Sequence, residues 1–297
     1  MKRIAFLALI AAGVFWGLGF PLGKFAMQEA PAAHTVLLRF AIASLAALPF
    51  ALNTPAARAL FCSPVVLAAG VLYGVAFIVQ FEGLSHVSVT LAALLVGAMP
   101  ALIAISARLL GERVTVVSWM GVAAATLGAA LIAGKPDGAG SPLGVALSLI
   151  SLLIFLAWLL VLRRAPASPT PMALPAVTIV IAGATILPIA LVMHGTPSLS
   201  LSPAAWAGVA GQGVFSTLLA TAAWQFGSSR VGAASSGVFI NIEPLMGAII
   251  GVALFGDRLT WALGVGGAMI IAGSLAVVSG ERGAPSDLEN LPPPTPA

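Results

Sequence analysis

Charged residues and histidines divide the chain into ten long apolar runs. The runs lie between Arg3 and Lys24, Arg39 and Arg58, Arg58 and Glu82, His86 and Arg108, Arg113 and Lys135, Asp137 and Arg163, Arg164 and His194, His194 and Arg230, Arg230 and Asp257, and Arg258 and Glu281. A run of about 20 apolar residues crosses a bilayer as a helix. The pattern therefore predicts an all-α polytopic membrane protein with ten transmembrane helices.

Composition agrees with this prediction and excludes other classes of protein. Hydrophobic residues make up 60% of the chain and charged residues only 7%, whereas soluble domains are about a quarter charged. The net charge of +4 comes from bases that stand singly or in pairs at the ends of apolar runs, so it does not indicate a nucleic-acid partner. A single cysteine, Cys62, excludes a disulfide framework within the chain.

The distribution of lysine and arginine predicts the orientation in the membrane. With the N-terminus inside, the inner side holds nine bases and the outer side three, which favours two cytoplasmic termini. The inner bases are Lys2, Arg3, Arg58, Arg108, Arg113, Arg163, Arg164, Arg230 and Arg282, and the outer ones are Lys24, Lys135 and Arg258. The first run is expected to be a retained helix rather than a cleaved signal. The proline-rich residues 281–297 are expected to form a disordered cytoplasmic tail.

A pentapeptide that occurs twice indicates an internal duplication. GERVT at 111–115 returns as GDRLT at 256–260, 145 positions later. In each copy the glycine suits a left-handed helix end and the threonine an N-cap, which predicts a tight helical hairpin. The same offset aligns Gly121 with Gly266, Gly128 with Gly273 and Gln80-Phe81 with Gln225-Phe226, and one residue of slippage brings Pro100 near Pro244. Residues 1–135 and 136–280 are therefore interpreted as two five-helix repeats.

Because five is an odd number, the second repeat enters the membrane from the opposite side. Inverted repeats are the usual architecture of secondary transporters that work by alternating access. A static scaffold or pore made by the same duplication is the alternative.

The order of several motifs resembles a known family. Trp16-Gly17, Pro21, Lys24, Pro31 and Arg39-Phe40 look like the opening of the EamA-type drug/metabolite transporter superfamily. Tyr73, Gln80, Pro100 and GERVT in the first half, and Trp224, Glu243-Pro244 and GDRLT in the second, are similar to the pattern of each repeat, so the resemblance covers residues 4–280. It implies ten helices, a prokaryotic inner membrane, and export or exchange of small metabolites. Within the superfamily the chain is most similar to the aromatic and other amino-acid exporter branch.

Glu243 is the leading candidate for a functional charge because it falls near the middle of the ninth span, where an unpaired carboxylate is costly. Pro244 removes a backbone donor and breaks the helix there, and Asn241 can satisfy the exposed backbone. Glu243 is interpreted either as a proton-accepting or amine-binding carboxylate, or as a protonated side chain hydrogen-bonded between helices.

Two cations near the outer ends of the first two spans have competing interpretations. Snorkelling to the interface is favoured for Lys24. Arg39 lies deeper, and pairing with Glu82 is favoured over a clamp on a substrate carboxylate.

Aromatic and amide side chains on the third span predict a surface for an amphipathic ligand. Tyr73, Phe77 and Gln80 recur at helical spacing. Trp16 lies too deep for an interfacial anchor and is assigned to the cavity, whereas Trp158 and Trp224 are expected to be anchors near the cytoplasmic surface. The substrate-binding candidates are thus Trp16, Tyr73, Phe77, Gln80, Asn241 and Glu243. His34, His86 and His194 are expected to be solvated loop residues.

Glycine spacing predicts close helix packing, and in the first span Pro21 together with four glycines predicts a bend. No zinc, hydrolase or phosphate-binding motif is present in the sequence, so the chain is not expected to be an enzyme or to use a cofactor or metal. The expected partners are the lipid bilayer, a small-molecule substrate such as an amino acid, and protons as a candidate coupling ion. A passive channel-like facilitator and a lipid flippase of the same architecture are the alternatives.

Overall fold

The structure, a computed structural model, describes residues 2–111, 114–134, 140–231 and 237–282, which are almost entirely helical. The α-helices are α1 (Lys2–Gly17), α2 (Gly19–Ala26), α3 (Ala32–Leu52), α4 (Pro55–Ala59), α5 (Pro64–Ser85), α6 (Val89–Val96), α7 (Met99–Leu109), α8 (Val116–Gly134), α9 (Pro142–Leu162), α10 (Ala173–His194), α11 (Pro203–Gly211), α12 (Ala220–Val231), α13 (Ile242–Phe255) and α14 (Trp261–Arg282). Short 3₁₀ segments cover Leu60–Cys62 and Gly237–Asn241, and a π-helix covers Gln212–Leu219.

Seven helical stretches among the described residues are long and apolar enough to cross a membrane. They are Arg3–Ala26, Ala32–Leu52, Pro64–Ser85, Val89–Leu109, Pro142–Leu162, Ala173–His194 and Trp261–Gly280. Val116–Leu131 and Phe239–Phe255 are shorter apolar helices, and the predicted eighth span consists of α11, the π-helix and α12. The all-α polytopic class is confirmed, and the count of ten stays a prediction.

Three of the predicted spans are interrupted, and a proline follows each interruption. The first span breaks at Leu18, between α1 and α2, with Pro21 in the first turn of α2. Pro100 lies in the first turn of α7 and Pro244 in the first turn of α13. Proline lacks the amide that continues a helical ladder, and it is well tolerated in a first turn. The change from 3₁₀ to α geometry at Asn241 lies where a break beside Pro244 was expected, and the bend of the first span stays a prediction.

The two predicted hairpins have the local geometry expected from their sequences. Gly111 and Gly256 have φ of +89° and +65°, in the left-handed region that glycine adopts without strain. Thr115 Oγ1 accepts the amide of Ser118 at 3.1 Å, and Thr260 Oγ1 accepts that of Leu263 at 3.2 Å. Glu112, Arg113, Lys135, Asp137 and most of the predicted tail, residues 283–297, lie outside the described residues.

Helices from the two halves of the chain pack against each other in antiparallel pairs. The pairs are α1 with α12, α3 with α10, α5 with α9, α6 with α13, and α8 with α14. The direction of each pair follows from its contacts: for example, His34 at the start of α3 bonds the carbonyl of Gly195 after α10, whereas Ser44 further along α3 bonds that of Ile179. Exchanging each helix with its counterpart in the other repeat leaves this set of pairs unchanged.

Glycines at the contact between α8 and α14 are arranged reciprocally. A Cβ on Gly121 would collide with the backbone of Gly273, and a Cβ on Gly273 with that of Gly121. A Cβ on Gly128 would lie 2.5 Å from the carbonyl oxygen of Gly266. The 145-residue offset turns one of these contacts into the other, which is the pattern that a two-fold axis between the helices produces.

The two repeated turns lie at opposite ends of this helix pair. A Cβ on Gly280, near the end of α14, would lie 2.5 Å from Thr115 Oγ1, at the start of α8. Thr260 precedes α14, so about 20 residues, or roughly 30 Å of helix, separate it from Thr115. We call these the Thr115 end and the Thr260 end of the molecule.

Candidate functional site

Arg39 is the most deeply buried cation among the described residues. It is 3% exposed, and its Nε donates to Thr217 Oγ1 at 2.8 Å. Its guanidinium lies over the ring of Phe77, with 4.3 Å from Cζ to the ring centroid. The two terminal nitrogens have no hydrogen-bond partner among the described residues. Arg39 is thus held by one bond and one ring while its two-pronged end remains available to bind an anion.

An aromatic cluster of six residues surrounds the approach to Arg39. Tyr73 stacks on Trp158 at 4.7 Å, and it meets Phe77 edge-on at 4.9 Å between ring centroids. Phe77 in turn meets Phe155 at 5.1 Å. The members of the aromatic cluster are Phe40, Tyr73, Phe77, Phe81, Phe155 and Trp158. The predicted aromatic face of the third span is therefore formed, and α3 and α9 extend it.

Glu243 occupies the first turn of α13, where the partial positive charge of a helix N-terminus favours a carboxylate. Its charge interacts with that of Arg39, and no ion pair or hydrogen bond joins the two side chains in the described structure. Tyr73 lies within the same electrostatic field. Arg39 and Glu243 therefore carry opposite charges that act on each other without a direct ion pair between the side chains.

One of the three tryptophans considered from the sequence is placed differently from the expectation. Trp16 packs on Trp224 with ring centroids 5.3 Å apart, and Trp158 stacks on Tyr73 in the aromatic cluster. The indole nitrogen of Trp158 is buried without a hydrogen-bond partner. The contact of Trp16 with Trp224 agrees with the assignment of Trp16 to the interior. The buried indole nitrogen of Trp158 contradicts its assignment as an interfacial anchor, because an anchor presents this donor to water or headgroups. The anchor assignment of Trp224 stays a prediction. Helix α9 is apolar on every face, so the sequence did not indicate which side of Trp158 faces inward.

The predicted amides lie in the interior of the bundle. Gln80 is buried on α5, one turn beyond Phe77, and it has no hydrogen-bond partner within the described residues. Asn241 is buried at the end of the 3₁₀ segment that precedes α13. Gly17 packs against the backbone of Glu243, which brings α1 and Trp16 next to this segment.

The predicted pairing of Arg39 with Glu82 is not formed. Arg39 bonds Thr217 instead, and Oε2 of Glu82 is buried without a hydrogen-bond partner. The two residues lie at similar predicted depths, but depth alone does not place side chains from two helices on facing surfaces.

Lys24 does not snorkel as expected. Its Nζ donates to the carbonyls of Leu84 at 2.9 Å and Val87 at 3.1 Å, where α5 ends. Asp257, from the GDRLT turn, interacts with the charge of Lys24 and accepts the amide of Thr90 at the start of α6. The cation meets the negative end of one helix and the carboxylate the positive end of the next. Lys24 and Asp257 together fasten helices of both halves at the Thr260 end.

Two of the three histidines, His34 and His194, form a pair at the Thr260 end. His34, expected to be solvated, is only 5% exposed and bonds the carbonyl of Gly195 through Nε2 at 3.0 Å. Its ring meets that of exposed His194 edge-on, with centroids 5.6 Å apart. The expectation is wrong for His34, because this residue lies in the first turn of α3 rather than in a loop. The expectation agrees with the exposure of His86 and His194.

A carboxylate fastens the loops at the same end. Glu29 accepts the hydroxyl and the amide of Ser202, the N-cap of α11. These hydrogen bonds hold the pKa of the Glu29 carboxyl below its usual range, so the group stays ionised and supports the helix start. Glu29 is fully exposed, and this contact serves the turn between α2 and α3 rather than the interior.

Two apolar crevices flank α12 toward the Thr115 end. One, of about 460 Å³, is lined by Phe15, Pro171, Met172, Leu219, Ala222, Ala223, Phe226 and Arg230. The other, of about 550 Å³, is lined by Ile103, Ser106, Leu156, Leu159, Leu160, Leu162, Arg163 and Gln225. Neither is lined by a predicted substrate-binding residue. Polar contacts thus hold the helices together at the Thr260 end, whereas apolar crevices lie between the helices at the Thr115 end.

Three polar residues of this site were not predicted from the sequence: Thr217, Asp257 and Gln212, whose side chain donates to the carbonyl of Gly19 at 2.7 Å. Threonine and glutamine are common in membrane helices and carry no distinct signal alone. Their partners lie far away in the chain, as for Arg39 and Thr217, which are 178 positions apart. Asp257 was recognised from the sequence only as a turn residue, because its hydrogen bond with the amide of Thr90 depends on the packing of α6.

Comparisons with known proteins agree with this fold. The sequence profile of the EamA-like transporter family matches residues 3–134 and again 142–279. An uncharacterized transporter, YyaM of Bacillus subtilis, is 27% identical over 292 residues, covering 93% of this chain and 94% of its own length. An uncharacterized transporter of Haemophilus influenzae is 32% identical over 119 residues, covering 40% of this chain and 70% of its own length.

A solved crystal structure shows that the fold is shared. It matches 95% of this chain and 99% of its own length with a TM-score of 0.66 at 18% identity. With the family profile covering both halves of the chain, the resemblance to the EamA-type family is confirmed, and the assignment to its amino-acid exporter branch stays a prediction. The chain belongs to the EamA-like transporter family of the drug/metabolite transporter superfamily and is a membrane transporter.

Proposed function

We propose that the protein is a secondary transporter that exports or exchanges small amphipathic metabolites, above all amino acids, by alternating access. The observation that carries the proposal is the buried cation Arg39 beside the aromatic cluster, with the charge of Glu243 acting on it but not paired with it directly. A buried charge in a membrane protein is costly and is retained where it binds or moves something.

A zwitterion fits this arrangement of charges. Its carboxylate binds the guanidinium of Arg39 in the bidentate geometry that guanidinium favours, and its ammonium faces Glu243. Its side chain lies against the aromatic cluster, whose faces accept many apolar shapes. A site of this kind binds a range of amino acids rather than one, because few fixed polar groups contact the side chain.

The helix arrangement supports alternating access. Residues 1–135 and 136–280 act as inverted repeats, as supported by the antiparallel cross-half pairs and the reciprocal glycines of α8 and α14. Two such halves exchange conformations and expose a shared site to each side in turn. The contacts of Lys24 and Asp257 at one end and the crevices at the other support a state closed at the Thr260 end.

The protein lies in a bacterial inner membrane with both termini cytoplasmic, as the excess of lysine and arginine at the Thr115 end supports. The Thr115 end and its crevices therefore face the cytoplasm. A substrate that enters from this side and leaves at the Thr260 end is exported.

Uptake of labelled amino acids into liposomes, with and without an imposed pH gradient, tests the proposal. Wild-type protein is expected to give saturable uptake that unlabelled substrate on the opposite side accelerates. Uptake without saturation supports a channel-like facilitator instead. Absence of uptake together with scrambling of labelled lipids supports a flippase.

Glu243→Gln is expected to lower the rate of exchange at least tenfold, about the loss for one hydrogen bond to a charged group. It is also expected to remove the response of exchange to a pH gradient, because an amide neither pairs with an ammonium nor carries a proton. Glu281→Gln, which neutralises a carboxylate at the end of α14 and away from the candidate site, is the control and retains wild-type exchange. Unchanged flux of Glu243→Gln at every pH removes this residue from the mechanism.

A further inference from the structure

The π-helical segment Gln212–Leu219 is the least regular part of the helical interior. A π-helix carries about one extra residue per turn, is rarely long, and often marks a functional site. This one spans eight residues between α11 and α12. It packs against α3, and its own Thr217 bonds Arg39 of that helix.

Two buried side chains connect the π-helical segment to the candidate site. Thr217 and Gln212 are both 0% exposed. The hydroxyl of Thr217 accepts Nε of Arg39 at 2.8 Å and donates to the carbonyl of Gln212 at 2.9 Å, five positions earlier. The side chain of Gln212 donates to the carbonyl of Gly19 at 2.7 Å, next to the break between α1 and α2. The hydroxyl of Thr217 therefore bonds both the guanidinium of Arg39 and the π-helical turn from Gln212 to Thr217, which we call the wide turn.

The bond from Thr217 to Gln212 depends on Arg39. A hydroxyl whose oxygen accepts a proton from a cation is polarised and becomes a better donor. Occupation of Nε by another acceptor removes this polarisation and weakens the contact across the wide turn. A carboxylate that binds a guanidinium side-on uses Nε and one terminal nitrogen, so it competes with Thr217 directly.

A change from π to α geometry would turn α12. Removing one extra residue from a helix rotates everything beyond it by about 100°, since an α-helix has 3.6 residues per turn. α12 carries Trp224, which contacts Trp16, and Gln225, which lines the larger crevice. The rotation separates the two tryptophans and moves Gln225 relative to the crevice.

We propose that Thr217 is a positioning residue that links occupation of Arg39 to the geometry of the π-helical segment. In the empty carrier Thr217 orients the guanidinium and stabilises the wide turn. A substrate carboxylate displaces Thr217, the segment tightens, and α12 rotates at the Thr115 end. The last step rests on the proposed function, because it takes Arg39 as the carboxylate-binding group. The link between Thr217 and α12 does not depend on the proposed function.

The link is tested by thiol labelling, without transport. Gln225→Cys in a Cys62→Ser background reports the position of α12 through its rate of reaction with a water-soluble maleimide in proteoliposomes. Thr217→Val keeps the shape of the side chain and loses the hydroxyl, and it is expected to change this rate at least tenfold, about the factor for losing one hydrogen bond to a charged group. Thr217→Ala makes the same test if the valine variant does not insert.

Two matched variants separate this role from a general effect on folding. Thr217→Ser keeps the hydroxyl and is expected to retain the parent rate. Thr221→Val removes a hydroxyl one turn later, which bonds only the carbonyl of Thr217, and it is also expected to retain the parent rate. An unchanged rate in both Thr217→Val and Thr217→Ala overturns the proposal, as does an equal change in Thr221→Val.

Transport measurements then distinguish a failure of the proposed substrate from a failure of the proposed role of Thr217. With a transported amino acid, Thr217→Val is expected to raise KM and lower kcat, and Thr217→Ser to restore both. If wild-type protein transports no amino acid but the labelling rates behave as described, the proposed substrate is wrong and the role of Thr217 stands. Normal transport with wild-type constants by Thr217→Val overturns that role.

Discussion

Arg39→Lys is expected to lower kcat/KM for amino-acid exchange about 100-fold, the factor typical of losing one partner in a buried charged hydrogen bond. Lysine keeps the positive charge, so the loss reflects geometry. A lysine ammonium cannot lie flat on Phe77 as the guanidinium does, and it cannot present two parallel donors to a carboxylate. The measurement is exchange of labelled amino acid in proteoliposomes with matched amounts of inserted protein.

Arg58→Lys is the matched control, because Arg58 is exposed in α4 and lies away from the aromatic cluster. It is expected to retain wild-type exchange. Arg39→Met, which keeps most of the side-chain volume but removes the charge, is expected to be at least as inactive as Arg39→Lys. Wild-type kcat/KM in Arg39→Lys contradicts a bidentate clamp, and activity in Arg39→Met contradicts any charge-based role.

Gly121→Ala and Gly273→Ala are expected to destabilise the protein by about 1–3 kcal/mol each, the usual cost of overpacking. A methyl group on Gly121 would lie 2.8 Å from the amide of Val277, and one on Gly273 would lie 2.7 Å from that of Ala125. The obstacles are backbone atoms, which cannot move aside as a flexible side chain does. Unfolding of purified protein in detergent measures the effect.

Gly264→Ala provides a control within α14. A Cβ at this position has no neighbour within 4 Å, and alanine is favoured over glycine inside a helix by about 1 kcal/mol. Gly264→Ala is therefore expected to be as stable as the wild-type protein or more stable. Equal losses in all three variants would mean that helix flexibility, rather than the contact between α8 and α14, explains the effect.

Local features of the fold were predictable from the sequence because they depend on neighbouring residues. Gly111 and Gly256 end their helices in the left-handed region, and Thr115 and Thr260 cap the next ones, as expected. The interruption before Pro244 follows from the proline itself, which lacks the amide that continues a helical hydrogen-bond ladder. The aromatic face on α5 followed from helical spacing.

Features that depend on helix rotation were not predictable in the same way. An amphipathic helix shows which side faces the core, but α9 is apolar on every side, so Trp158 could not be placed. The partner of Arg39 was misassigned for a related reason. Predicted depth allowed Glu82, and only the packing of α3 on the π-helical segment brings Thr217 within reach. The sequence alone showed no sign of the π-helix.

The side of the membrane reached by each repeated turn tests the central claim most directly, because inverted repeats require the two turns to face opposite sides. Leu110 and Leu259 are 58% and 63% exposed beside these turns. Leu110→Cys and Leu259→Cys, each in a Cys62→Ser background, are treated with an impermeant maleimide in intact cells. The account predicts labelling of Leu259→Cys in intact cells and of Leu110→Cys only after permeabilisation. Labelling of both from the same side contradicts it.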